Sequence, residues 1–222
     1  MGPGRIMAVR HGESEANLAH RQAGRTPLVY ERGDDEVTVT ELGRAQAAAL
    51  GRLLAALPVR EAPELVWCSP YLRALDTWKI AQEAWGVEPL PVTVDERLRD
   101  QETGAFAHLN LAAIRERHPE ELVRREAEGA YAFRPPGGES LADVVVRLRD
   151  FLRDLDVRAA GRRVLIVAHD SVVLALRHVL DKRPDTELAA VLEFAPVLNA
   201  SVSVWRTGGE LVSFNDVAHL TS

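Results

Sequence analysis

Three short apolar runs, Ile6-Met7-Ala8-Val9, Leu65-Val66-Trp67-Cys68 and Val164-Leu165-Ile166-Val167-Ala168, each give way to a polar cluster and then to helically spaced sequence. Continuous apolar runs of this length fit strands buried on both faces, and strands alternating with helices of ten or more residues fold as an α/β sheet. The helices read as follows. Leu42, Ala49, Leu50, Leu53, Leu54 and Leu57 recur with a helical period, with Thr38 and Glu41 as a capping box and Pro58 as the stop. Ser69-Pro70 supplies an N-cap and a first-turn proline for a helix reaching Trp85, and further helices span Ser140 to Leu155 and Ser171 to Leu180. Pro91 to Val94 reads as another strand, and Ala200 to Trp205 turns at Gly208-Gly209 into Leu211 to Phe214 as a hairpin. The expected architecture is α/β, a three-layer α/β/α arrangement around a mostly parallel central sheet. Residues 103–138 break the alternation with charge-rich helical sequence ending in Arg134-Pro135-Pro136-Gly137-Gly138, which reads as a helical insertion over the active site, a lid.

A chain of 222 residues, 46% of them apolar, buries a sizeable core, and residues 1–222 read as one domain without repeats or linkers. The formal charge is −6, and of 27 basic residues only Lys79 and Lys182 are not Arg. The Arg residues alternate with Glu and Asp, as from Arg115 to Glu128, so no basic patch suited to nucleic acid emerges. Cys68 is the single cysteine, which excludes an intrachain disulfide and fits a reducing, cytoplasmic setting. No signal peptide or membrane span is legible, and no membrane or nucleic-acid partner is expected. Homodimerisation and a monomeric state are equally compatible with the sequence.

Ligands of an open α/β sheet bind beyond the carboxyl ends of its strands. There the chain places Arg10-His11-Gly12-Glu13, Ser69-Pro70-Tyr71-Leu72-Arg73 and His169-Asp170, so one sheet edge gathers two His and two Arg. Singly, each has a plainer reading: a strand-end His is more often a hydrogen-bonded structural residue, and Arg73 has Asp76 within reach on its own helix. Together, four cationic or potentially cationic groups repel one another unless an anion joins them. A phosphoryl group is the natural candidate: guanidinium forks match its oxygens, and helix N-termini add N–H donors. Gly12 permits close backbone approach. Walker-type glycine loops, G-x-S-x-G and H-E-x-x-H are all missing from the sequence, and Cys68 reads as a buried small hydrophobe. The imidazole of His11 is the best remaining nucleophile.

Arg10-His11-Gly12-Glu13-Ser14-Glu15-Ala16-Asn17 resembles the signature of the histidine phosphatase superfamily, in its phosphoglycerate-mutase-like branch. The resemblance continues in order through Thr40-Glu41-Leu42-Gly43, Ser69-Pro70 with Arg73 and Thr77, Leu98-Arg99-Asp100, Pro136-Gly137-Gly138-Glu139-Ser140 and Val167-Ala168-His169. It implies that His11 is phosphorylated, that Arg10 and Arg73 clamp the phosphoryl oxygens, that His169 hydrogen-bonds them and that Asn17 adds a polar contact. It also implies chemistry with no metal and no cofactor, on a small-molecule phosphate ester. The proton donor falls at Asp100 by register, where the family usually has Glu, with Glu102 as the alternative. After His169 the family often has Gly; Asp170 here reads as a helix cap or an orienting partner of His169.

The family includes hydrolases and mutases. Residues 18–37 lack the Trp/Gly/Asn-rich stretch typical of phosphoglycerate mutases, and the insertion is short, so the expected activity is that of a phosphomonoesterase acting through phosphohistidine on a small phosphorylated metabolite. A phosphoglycerate-type phosphomutase and a non-catalytic phospholigand-binding module are the alternatives. His20, Arg21, Phe106, Tyr131, Phe133 and Arg134 are candidates for the mouth of the site.

Overall fold

The computed structural model describes residues 2–184, 187, 189, 192 and 195–221. Three parallel strands form the centre of a six-stranded sheet: β1 (Arg5–Arg10), β4 (Arg163–Ala168) and β2 (Leu65–Cys68). The order across the sheet is β3-β2-β4-β1-β5-β6. β3 (Val92–Val94) lies parallel at one edge, and β5 (Val202–Arg206) and β6 (Glu210–Asp216) form the antiparallel hairpin at the other. Because strand side chains alternate between faces, the apolar runs feed two cores at once. Ile6, Ala8, Trp67 and Ile166 pack on one face with α6 (Leu141–Arg158) and α7 (Asp170–Leu180). Met7, Val9, Val66, Cys68, Leu165 and Val167 pack on the other with α2 (Glu41–Ala56) and α3 (Leu72–Trp85). This is the three-layer α/β/α arrangement with a mostly parallel sheet.

Two helix starts differ from expectation. α2 is capped by Thr40, whose side chain accepts from Gly43 N at 3.1 Å, and not by Thr38. Its N-terminus is pressed against the turn after β1: a Cβ on Gly12 would stand 2.5 Å from the carbonyl oxygen of Gly43. The close approach that Gly12 permits is therefore to α2 rather than to a ligand. α3 begins at Leu72 behind Tyr71, so Ser69 is not its cap; the Ser69 hydroxyl is drawn instead to His169.

Residues 15–40 carry α1 (Glu15–Ala23) and a loop with one short 3₁₀ turn at Asp34–Glu36. The insertion carries α4 (Leu111–Arg117) and α5 (Pro119–Glu128). The two segments are tied together: Asn110 accepts from Leu28 N at 3.0 Å and donates to the Thr26 carbonyl at 2.7 Å, and Tyr30 N donates to the His108 carbonyl at 2.7 Å. Among the described residues no helix is long and apolar enough to cross a membrane.

Candidate active site

The carboxyl ends of β1, β2 and β4 open into a cavity of about 610 Å³, roofed by residues of the 15–40 segment and of the insertion. His11 follows β1 and is buried at its floor. Its Nδ1 donates to the Gly12 carbonyl at 2.7 Å, which fixes the tautomer and puts the ring's lone pair on Nε2. Arg73 Nε donates to that Nε2 at 3.2 Å. Burial, reinforced by the positive charge of Arg73, holds the His11 pKa well below the usual imidazole value, so the ring is neutral at physiological pH. The turn is braced from behind by Thr77, whose hydroxyl accepts from Gly12 N at 3.0 Å and donates to the Arg73 carbonyl at 2.6 Å.

His169, at the end of β4, is fully buried, with its ring centroid 5.2 Å from that of His11. Its Nε2 shares a hydrogen bond with Ser69 Oγ at 2.8 Å, and its Nδ1 lies 3.4 Å from Asp100 Oδ2. Burial pushes its pKa down to about 3, against the pull of Asp100. Arg10 commits one nitrogen to the Val197 carbonyl at 2.6 Å, while its Nε is buried without a hydrogen-bond partner. Buried guanidinium nitrogens are seldom left unpaired, and Arg10 lines the cavity. Asn17 also lines the cavity, but its carbonyl oxygen is committed: it accepts from Ser14 N at 3.2 Å, completing the capping box of α1, and from Asn199 Nδ2 at 3.0 Å.

Asp100 reaches the cavity and Glu102 does not. The Asp100 carboxylate accepts from Arg73 Nη2 at 3.1 Å, from Ser171 Oγ at 2.6 Å and from Gln101 N at 2.8 Å. Burial would raise its pKa, but His169, Arg73 and the Ser171 hydroxyl hold it well below the usual carboxylate range. Its backbone is pinned from α6, where Arg147 donates to the Asp100 carbonyl at 3.0 Å and to that of Arg97 at 2.6 Å. Glu102 is turned outward and half exposed, held by Arg99 Nε at 2.8 Å, because the cavity side of the segment is already taken by Asp100. Arg73 pairs with Asp100 and Asp34 rather than with Asp76.

Asp170 is the first residue of α7, and His169 stands at the N-cap position. The Asp170 carboxylate accepts from Ser171 N at 2.9 Å and lines the cavity, and burial together with the negative charge of Asp100 pushes its pKa up. Cys68 is buried, with its thiol pushed up to about 12 by burial, as suits a packing residue. At the mouth, His20, Phe106 and Phe133 line the cavity. Arg21 is drawn to buried Glu13, Arg134 to Asp143, and Tyr131 packs against the α6/α7 core. Sequence reasoning missed Ser69, Ser171, Asn199 and Asp34. The first two lie within two residues of a strand-end landmark; the last two come from loops with no such mark.

The match to known proteins follows this geometry. Residues 6–217 match the family model of the histidine phosphatase superfamily (branch 1). The chain belongs to that superfamily. It is 36% identical over 181 residues to a 2,3-bisphosphoglycerate-dependent phosphoglycerate mutase 2 of Gloeobacter violaceus, covering 79% of this chain and 75% of the relative. Among solved structures it is similar to a mycobacterial hydrolase, with 29% identity, a TM-score of 0.74 and coverage of 96% and 99% of the two chains. It is similar too to a mycobacterial glucosyl-3-phosphoglycerate phosphatase in complex with VO3, with 28% identity, a TM-score of 0.71 and coverage of 93% and 94%. As a histidine phosphatase superfamily enzyme, this protein is a phosphatase or a mutase.

Proposed function

We propose that the protein hydrolyses phosphomonoesters through a phosphohistidine formed at His11. The observation that carries this reading is the neutral His11 ring, locked by Gly12 with its Nε2 lone pair beside the buried Arg73 guanidinium and near His169. Nε2 attacks phosphorus in line and the P–O bond to the alcohol breaks. Arg10, Arg73 and His169 stabilise the charge on the transferring phosphoryl oxygens, and Asn17 supplies a peripheral amide. Asp100 gives its proton to the departing alkoxide, then takes one from the water that attacks the phosphohistidine, releasing phosphate and restoring His11. A phosphoryl oxygen on Arg73 Nη2 weakens one of the partners that hold the Asp100 pKa low and brings an anion beside it, and both changes favour the protonated carboxyl. These groups supply the charge stabilisation that a metal would otherwise provide, so activity is expected to survive chelators.

Hydrolysis is favoured over mutase chemistry by the cavity beyond the phosphate end. Phe106, Leu109, Ile114, Leu122 and Phe133 line it together with neutral polar side chains, and apart from Arg10 and Arg73 its lining holds one guanidinium among the described residues, that of the exposed Arg125. A bisphosphoglycerate, with a second phosphate and a carboxylate, calls for further cations. The similarity to a phosphatase solved with VO3 supports the same reading. The substrate is a small phosphorylated metabolite, the insertion acts as its lid, and a cytoplasmic setting accords with the lone buried cysteine. Incubation with 3-phosphoglycerate and 2,3-bisphosphoglycerate is expected to release phosphate without rapid formation of 2-phosphoglycerate; fast isomerisation would overturn the hydrolase reading. A panel of metabolite phosphates then identifies the alcohol.

A further inference from the structure

Every nitrogen of the Arg73 guanidinium has a protein partner. Nε faces His11 at 3.2 Å, and Nη2 is shared between Asp100 at 3.1 Å and Asp34 Oδ2 at 3.3 Å. Nη1 meets Asp34 Oδ1 at 3.0 Å and also the Asp34 carbonyl. Asp34 thus engages the guanidinium with both carboxylate oxygens across the two Nη atoms, the fork-on-fork geometry that two phosphoryl oxygens would adopt. The partners differ in burial: the Arg73 side chain is 4% exposed, whereas that of Asp34 is 50% exposed. Asp34 sits in the three-residue 3₁₀ turn between Gly33 and the buried Val37.

We propose that Asp34 and the phosphoryl group are alternative ligands of the Arg73 fork, so that Asp34 sets the affinity of the site for phosphate. A phosphoryl group bonded to His11 Nε2 lies against Arg73 and needs the Nη edge that Asp34 holds. Binding breaks the Asp34 pair and turns that side chain toward solvent; release of phosphate restores it. An internal competitor raises the apparent dissociation constant in inverse proportion to the fraction of sites it leaves free. The inference rests on the phosphatase reading and adds a residue that reading does not use.

The opposite role, a carboxylate that merely positions Arg73, predicts the opposite sign. Titration calorimetry with inorganic phosphate and with orthovanadate, on wild type, Asp34→Asn and Asp34→Ala, separates the two. Binding is expected to tighten roughly three- to tenfold in the variants, with KM for p-nitrophenyl phosphate falling in parallel and the gain shrinking at high salt. Asp35→Asn, which removes a neighbouring charge that makes no contact with Arg73, controls for general repulsion and should change binding less than about twofold. Wild type that binds and hydrolyses, with neither Asp34 variant tighter, overturns this inference alone. Wild type that neither binds phosphate nor hydrolyses the aryl ester overturns the phosphatase reading and this inference with it.

Discussion

His11, Ser69 and His169 stand at the ends of the adjacent parallel strands β1, β2 and β4, whereas Asp34, Phe106 and Phe133 reach the same cavity from the 15–40 segment and the insertion. The strand ends are fixed by two fully formed cores and by a ladder that links His11 N to the Ala168 carbonyl at 2.9 Å and Ser69 N to the Val167 carbonyl at 3.0 Å. The roof depends on loops, short helices and a few bonds such as those of Asn110. On the proposed function the difference implies a division of labour: the sheet holds the nucleophile and the groups around it at the separations phosphoryl transfer needs, while the roof chooses what is attached to the phosphate.

Substitutions at the strand ends should therefore act on kcat, and substitutions in the roof on KM. His11→Ala is expected to cost at least about 10⁴-fold in kcat, since it removes the nucleophile itself. Arg73→Ala should cost about 10²- to 10³-fold in kcat/KM as a lost transition-state donor. Asp100→Asn should cost on the order of 10²-fold with an aliphatic substrate and much less with p-nitrophenyl phosphate, whose leaving group needs no proton. Asp170→Asn, measured alongside, should lose less than about tenfold, and the reverse ranking would move the acid role to the carboxyl whose pKa burial raises. Phe133→Leu in the roof should shift KM by a few-fold at nearly constant kcat; a loss confined to kcat would break the division.

Acid stability sharpens the same contrast. His169 is buried neutral with a pKa of about 3, against about 6.5 in the unfolded chain, so between those values the unfolded state binds the extra proton. Stability is thus full above pH 6.5 and falls as pH drops, by about 1.4 kcal/mol per pH unit for this one group. Thermal melts from neutral to acidic pH should show stability falling, with the buried His11 adding to the loss in the same direction, and His169→Gln should make the fall shallower even though the variant melts lower overall.

The strands and the Arg10, His11, Arg73 and His169 set were legible because a buried parallel strand leaves an unbroken apolar run and its end marks where ligands bind. That Asp100 reaches the cavity is legible only by register, and that Glu102 does not reach it follows from the side-chain directions that Arg99, Ser171 and Arg147 impose. Ser69 was misread as a cap because Ser-Pro before a helix is a strong local signal, overridden here by a tertiary bond to His169. Asp34 left no signal at all: an acidic run in a loop ordinarily means a solvated surface, and only the fold brings it to Arg73.

The most direct test of the account is to quench the reaction with a ³²P-labelled aryl phosphate and examine the protein. Wild type should carry label that is lost in acid and kept in base, as a phosphoramidate is, and His11→Ala should carry none. Label that persists in His11→Ala, or an acid-stable phosphoenzyme in wild type, would contradict it.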